Sequence, residues 1–301
     1  MRVLFMGTSE FARTALESLI RSKFEVIGVV TQPDKPAGRK LVMTPPPVKE
    51  CAIDHKIPLY QPQTLRGEEF AGVIKEIAPD IIVVAAYGKI LPKNIIDEYT
   101  CVNIHASLLP KYRGASPITA AIMGGEKVTG ITIIYMDEGI DTGDMILKRE
   151  LEIGNDETFA ELHDRLAVMG GELIAEALEQ IKSGAACREK QPEDGISYAG
   201  KLNNEMCEID WSLPAKQIHD KIRGLSSVST AFTWLNGKKL KIYKSRVADD
   251  GIIELLEVQI EGGKRMSAGD FANGRKDIGN IGNIKNEECG KPEGSLFRFS
   301  R

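Results

Sequence analysis

The chain has 301 residues, 42% apolar and 27% charged, with 29 Gly, 14 Pro and a formal net charge of −4. That length allows two domains and a sizeable core, and the composition excludes a disordered, collagen-like or coiled-coil protein. No apolar run reaches the ~18 residues a membrane-crossing helix needs, and the opening Met1–Gly7 lacks the pattern of a secretory signal.

In chain order, short β-rich runs alternate with amphipathic segments. Strands are predicted at Arg2–Met6, Glu25–Thr31, Asp80–Ala86, Cys101–Ile104, Gly130–Tyr135 and Met145–Glu152, several of them apolar without alternation, as in strands buried on both faces of a parallel sheet. Helices are predicted at Glu10–Arg21, Pro47–His55, Gly67–Ile77 and Ser116–Met123, and a long one at Asp156–Ile181 with Asn155 as its N-cap. This alternation implies a doubly wound α/β domain over residues 1–182. Residues 183–204 lose the pattern and read as a linker. Residues 205–301 form a second, mostly β domain with a helix at Pro214–Arg223 and strands at Ser229–Leu235, Lys239–Ser245 and Ile252–Ile260. Asn236-Gly237 marks a hairpin turn, and the polar, glycine-rich stretch from Asn273 reads as a loose tail.

Five cysteines (Cys51, Cys101, Cys187, Cys207, Cys289) are scattered without a CxxC pair, which suits a cytoplasmic location better than a disulfide framework or a zinc site. Residues 201–301 carry 17 Lys+Arg against 14 Asp+Glu, whereas residues 1–200 carry 22 against 29. A basic end on an acidic body hints at a polyanionic partner, although so small an excess does not identify one.

The opening strand–turn–helix keeps only Gly7 of a G-x-G-x-x-G fingerprint, and Glu10 would repel a pyrophosphate there, so no dinucleotide is expected. The informative segment is Asn103-Ile104-His105 at the carboxyl end of a predicted strand. A period of two places both side chains on one face, where an amide can hold an oxyanion and an imidazole can move a proton. Open α/β sheets bind their ligands at this edge. The glycine-flanked loop Gly139–Asp144 brings Asp141 as a carboxylate that would favour the imidazolium; alone, it would read as an ordinary Asp-rich turn. The long, proline-braced loop from Thr31 carries Lys35, Arg39 and Lys40, and the backbone of Ala86–Pro92 is placed to read the edge of a planar heterocycle. His55, His163 and His219 read as structural, and Trp211 and Trp234 as core of the small domain. The run Lys238–Arg246 alternates, with Leu240 and Ile242 inward and Lys239 and Lys241 outward; Arg223, Lys264 and Arg265 add to its charge.

Together these segments resemble the methionyl-tRNA formyltransferases of the folate-dependent formyltransferase family, over nearly all of residues 1–272. The resemblance is carried by MGTxxFA at Met6–Ala12, TQPDKPAGRK at Thr31–Lys40, AYGKILP at Ala86–Pro92, NIHASLLPKYRGASPI at Asn103–Ile118 and GIDTGDM at Gly139–Met145. NGKKLKIY at Asn236–Tyr243 and EGGKRMSAGDF at Glu261–Phe271 extend it into the second domain. It implies a Rossmann-like α/β formyltransferase domain followed by an OB-fold-like C-terminal domain, a catalytic trio of Asn103, His105 and Asp141, and 10-formyltetrahydrofolate as donor, with no metal. It further implies folate contacts from Tyr87, Gly88, Lys89, Ile90 and Leu91 and from Ser107, Leu108, Leu109 and Pro110. Initiator methionyl-tRNA would then be held by Lys35, Arg39, Lys40, Arg223, Lys239, Lys241, Lys264 and Arg265, with no membrane and no obligate protein partner. Three features depart from the family. Val247–Asp250 is a short connection where the family has a longer one, the Gly290–Gly294 turn resembles part of that connection, and Gly224–Thr233 lacks the usual Pro-Trp. Rival readings are a formyltransferase acting on an amino-sugar nucleotide or a purine ribonucleotide, a formyltetrahydrofolate hydrolase, and a non-catalytic RNA-binding protein. The intact trio speaks against the last.

Overall fold

The computed structural model of the chain describes residues 1–38, 41–274 and 297–299. Arg39, Lys40 and the Gly290–Gly294 turn lie outside the described residues. Two compact units emerge. The first comprises Met1–Pro117, Val128–Glu152 and His163–Ala199; the second comprises Ile118–Lys127, Ile153–Leu162 and the chain from Gly200.

The first unit contains β1 (Arg2–Gly7), α1 (Glu10–Arg21), β2 (Glu25–Val30), β3 (Lys35–Ala37), β4 (Val42–Thr44), α2 (Pro47–Asp54) and β5 (Leu59–Tyr60). It continues through α3 (Glu68–Ile77), β6 (Ile81–Ala85), α4 (Lys93–Glu98), β7 (Cys101–His105) and β8 (Arg113–Gly114). After α5 (Pro117–Met123), which falls to the second unit beyond Pro117, come β9 (Val128–Tyr135), β10 (Met145–Glu152), α6 (Phe159–Ser183, in the first unit from His163) and β11 (Tyr198–Ala199). Seven strands form one sheet in the order β10-β9-β7-β6-β1-β2-β5. The run from β7 to β5 is parallel, whereas β9 lies antiparallel to β7 and β10 antiparallel to β9. The apolar sequences of β1 and β6 follow from burial on both faces, with every residue of Ile81–Ala85 buried. The alternating MILKRELE of β10 instead belongs to an edge strand with one face in water. α1 buries Phe11, Ala12, Ala15, Leu16 and Leu19, one stripe at helical spacing.

Two expectations need correction. α6 begins at Phe159, not Asp156, because Thr158 and Glu161 form a capping box: the Glu161 carboxylate accepts from the Thr158 amide at 2.8 Å and from its hydroxyl at 2.7 Å. Asn155 accepts from Lys127 instead. The segment read as a linker is also stitched to the first unit. Glu189 bridges Met145, and Tyr198–Ala199 pairs in parallel with Arg113–Gly114.

The second unit adds α7 (Asn204–Cys207), α8 (Ala215–Leu225), β12 (Ala231–Leu235), β13 (Lys238–Val247), β14 (Ile253–Ile260), β15 (Met266–Ser267), α9 (Ala268–Asn273) and β16 (Phe297–Phe299). Its sheet runs β12-β13-β14-β15, with β16 on β14. The β12–β13 turn is the Asn-Gly hairpin, with φ of 49° at Asn236 and 74° at Gly237. Trp211 is core as expected: its ring stacks on Phe297 at 4.3 Å and its Nε1 donates to Thr233 Oγ1 at 2.9 Å. Trp234 is not, being 47% exposed, because it lies on the outward face of β12 opposite Lys239. Most of the expected loose tail lies outside the described residues, but Phe297–Phe299 within it is a strand. Phe297–Phe299 pairs with Ile253–Leu255, and Arg298 donates to Glu254 and Asp250 at 2.6 Å each.

Arg223 was expected on the tRNA-facing surface, but it is only 3% exposed. Its Nε donates to Asp220 at 2.6 Å, and its Nη1 donates to the carbonyls of Gly154 (3.2 Å) and Glu157 (2.8 Å). Burial of the Arg223–Asp220 pair, with two carbonyls taking the rest of the guanidinium, turns a basic residue of α8 into an internal tie. Arg223→Ala is expected to destabilise the fold by about 3 kcal/mol. This is the low end for a broken buried pair, because Lys216 still pairs with Asp220. Urea unfolding checks this, and a loss below about 1 kcal/mol would return Arg223 to the ordinary surface ion pairs.

Among the described residues no helix is long and apolar enough to cross a membrane.

Candidate active site

The site is built at the carboxyl ends of the central strands, where the sheet leaves open backbone and the loops diverge. On β7, Asn103 and His105 share a face, as the strand period requires. Asp141 sits in the loop between β9 and β10 with φ of 54°, a left-handed conformation that costs a side-chain-bearing residue on the order of 1 kcal/mol or more. The loop has few alternatives: a Cβ on Gly143 would lie 1.8 Å from the Tyr135 carbonyl oxygen.

The three side chains converge. Asn103 Nδ2 donates to Asp141 Oδ1 at 3.2 Å, and His105 Nδ1 lies 3.4 Å from Asp141 Oδ2. The Gly114 amide donates to that same Oδ2 at 2.8 Å. Gly114 must be glycine to do so, since its φ is 118° and a Cβ would meet the Ala199 oxygen at 2.6 Å. His105 Nε2 is 3.0 Å from the Tyr112 carbonyl oxygen. A carbonyl only accepts, so Nε2 carries the proton, and in the neutral ring Nδ1 is the basic nitrogen, facing Asp141.

The ring is 4% exposed, and its burial lowers the His105 pKa below the ordinary histidine value, against the opposing pull of Asp141 and the Tyr112 carbonyl. Asp141 does favour the imidazolium, as expected, but desolvation outweighs it and the resting ring is neutral.

The loop after β7 is pinned from below. Thr132 Oγ1 donates to the Ser107 carbonyl at 2.6 Å and accepts from the Leu109 amide at 3.1 Å, while Ser107 Oγ donates to the Lys111 carbonyl at 2.6 Å. The Ala86–Pro92 loop leaves β6, the strand paired beside β7. Here the Tyr87 and Leu91 side chains are core, and the buried Tyr87 hydroxyl is pushed up to about 12. The Tyr87 carbonyl accepts from Thr8 and Gln32, and Lys89 Nζ is held by the carbonyls of Pro62 and Gln63. Gly88 and Ile90 remain at the surface, Ile90 being 80% exposed.

The basic candidates divide similarly. Lys35 is exposed on β3 and bonds Gln32. On β13, Lys241 is exposed, and Lys239 sits 3.8 Å above the Phe232 ring and 5.6 Å from that of Trp234. Lys264 is exposed, while Arg265 is bidentate to Glu257 and lies 4.1 Å over the Tyr243 ring.

Sequence reading missed Thr132, Tyr112, Arg113 and Gln191. Tyr112 and Arg113 lie inside the quoted NIHASLLPKYRGASPI segment, so proximity in sequence could have flagged them. Gln191 carried no such signal.

The Formyl transferase family matches residues 1–178, and its C-terminal domain, Formyl transferase, C-terminal domain, matches residues 201–250. The chain is 44% identical over 302 residues to a methionyl-tRNA formyltransferase of Acetivibrio thermocellus, covering 92% of this chain and 97% of that one. It is 42% identical over 314 residues to that of Bacillus subtilis, covering 95% and 99%. Among solved structures, the methionyl-tRNA formyltransferase from Clostridium thermocellum superposes with a TM-score of 0.60 at 22% identity, over 87% of this chain and 99% of that one. An N-formyltransferase from Helicobacter canadensis, in complex with folinic acid and dTDP-3-aminofucose, gives 0.65 at 21% identity, over 88% and 98%. These two likenesses speak for the fold, and the identity to the curated relatives for the branch. The chain belongs to the formyl transferase family, in its methionyl-tRNA formyltransferase branch.

Proposed function

We propose that the chain transfers the formyl group of 10-formyltetrahydrofolate to the α-amine of initiator methionyl-tRNA, with Asn103, His105 and Asp141 as the catalytic residues. The convergence of an amide, a buried imidazole and a carboxylate at one strand end supports this reading. The amine nitrogen adds to the formyl carbon, and the carbonyl electrons move to oxygen. Asn103 Nδ2 has two N–H groups; one is spent on Asp141, and the other meets the developing oxyanion. His105 Nδ1 takes the proton leaving the amine. The imidazolium so formed is held between Asp141 and the Tyr112 carbonyl. The same proton passes to N10 as the C–N10 bond breaks, which returns the ring to neutral and releases tetrahydrofolate.

The donor would lie along the loops following β6 and β7, adjacent because Ala85 pairs with Ile104. The backbone of Tyr87, Gly88, Lys89, Ile90 and Leu91 and the Ser107, Leu108, Leu109 and Pro110 segment would read its heterocycle and chain. On the acceptor side, Lys35, Lys239, Lys241 and Lys264 would meet phosphates, with Arg265 partly spent on Glu257.

The decisive experiment incubates labelled 10-formyltetrahydrofolate with methionyl-tRNA, an amino-sugar nucleotide, a purine-pathway ribonucleotide amine, or water, and locates the formyl group. Formyl-methionyl-tRNA is expected. Transfer to a small amine, or release of free formate at the same rate without any acceptor, would replace the proposal with one of its rivals.

A further inference from the structure

We propose that Gln191 is a positioning residue for formyl transfer, holding Asp141 in its left-handed conformation opposite His105. The inference rests on the catalytic reading above. Gln191 Nε2 donates to the Asp141 carbonyl at 2.8 Å and to the Gly143 carbonyl at 2.9 Å, so one amide grips the loop at the carboxylate residue and two residues beyond it. Its Oε1 accepts from Arg113 Nε at 3.1 Å and Nη2 at 2.7 Å. Arg113 is itself buried, and the Arg113 amide donates to the Ser197 carbonyl at 2.9 Å. The next residue, Gly114, bonds the Asp141 carboxylate directly.

The segment carrying Gln191 is thereby clamped at both ends, by the Glu189–Met145 bridge and by the β11–β8 ladder. A side-chain amide suits this position because one face must donate twice to carbonyls while the other accepts from a guanidinium. A carboxylate accepts but cannot donate; an aliphatic chain does neither. The strained φ of Asp141 persists only while the surroundings over-determine it, and these two hydrogen bonds contribute directly to that.

Two substitutions separate positioning from simple attachment. Gln191→Glu keeps an acceptor for Arg113 but removes both donors to the loop. We expect kcat to fall about 10- to 100-fold, as for a catalytic group displaced by a fraction of an ångström to an ångström, with both KM values within about twofold and the thermal midpoint nearly unchanged. Gln191→Met removes both sets of bonds, and its readout is the NMR titration of the His105 ring. Among the described residues, Asp141 is the charge that acts on His105, and the Tyr112 carbonyl is its other polar partner. A displaced Asp141, or an Arg113 guanidinium released toward it, weakens support for the imidazolium, so the titration moves to lower pH. Wild-type kcat in Gln191→Glu would overturn the proposal, as would a His105 titration in Gln191→Met that coincides with wild type. If the unmodified chain forms no formyl-methionyl-tRNA, the function proposed above fails, yet the His105 titration still decides the role of Gln191.

Discussion

Alanine at His105 is expected to lower kcat for formyl transfer by about 10²- to 10⁴-fold, the range for loss of a positioned proton-transfer group. Alanine at Asn103 is expected to cost about 10²- to 10³-fold, the range for loss of one oxyanion donor. Both follow from the chemistry of amine addition to an amide-like carbonyl, in which negative charge appears on oxygen while positive charge appears on nitrogen. In the proposed mechanism Asn103 answers the first and His105 the second. The ring is buried against the Tyr112 carbonyl and Asp141, so bulk solvent does not readily substitute for it. Because His105→Ala leaves a hole in a packed strand end, His105→Gln serves as the companion variant: its amide fills most of the space but cannot carry a proton at neutral pH. Both should be slow, and the Gln variant should keep the wild-type unfolding midpoint more closely. Single-turnover formation of formyl-methionyl-tRNA measures the step directly, and turnover near wild type in either His105 variant would remove the imidazole from the mechanism.

The central sheet and most of the trio's geometry were legible because their causes are local. Strands buried on both faces cannot alternate, so Val3–Met6 and Ile81–Ala85 announce themselves as continuous apolar runs. A strand's period of two places Asn103 beside His105 with no further information. Asp141 needed its flanking glycines, whose lack of Cβ is what lets that loop pass the Tyr135 and Thr142 atoms. What stayed hidden depends on partners distant in sequence. The net direction of the His105 pKa is set by how deeply the folded chain buries the ring, which a lone Asp in the sequence does not reveal. Arg223 looks like any basic helix residue until Asp220 and the carbonyls of Gly154 and Glu157 consume its guanidinium. Trp234 looks like core until the β12 pleat turns it outward beside Lys239. Gln191 sits in a polar stretch with no periodicity, and the Glu189–Met145 bridge together with the pairing of β11 with β8 carries it to the Asp141 loop.

Asp141→Asn should produce the second large effect: a fall in kcat of about 10²- to 10³-fold together with a displaced pH profile. The carboxylate holds Asn103 and the Gly114 amide with its two oxygens while facing His105 Nδ1 at 3.4 Å. An amide offers one oxygen, so its NH₂ must point at either the Asn103 NH₂ or the Gly114 N–H, donor against donor. Orientation is therefore damaged along with charge. In the proposed mechanism the charge matters most in the transition state, when His105 would become an imidazolium in a buried site. Unit charges some 4 Å apart attract by about 4 kcal/mol at an effective dielectric near 20, and about 1.4 kcal/mol is worth tenfold in rate. The sign of the pH effect is fixed by the same interaction. With His105 as the proposed proton acceptor, activity is expected to need the neutral ring and to be lost as pH falls through the His105 pKa, which burial already holds below the usual histidine value. Asp141 opposes that depression, so removing its charge lowers the pKa further and moves the acidic limb to still lower pH. A kcat–pH profile of Asp141→Asn beside the wild type tests both halves. An acidic limb that stays in place, or moves toward neutral pH, would show that the carboxylate does not act on His105, whatever happens to the plateau rate.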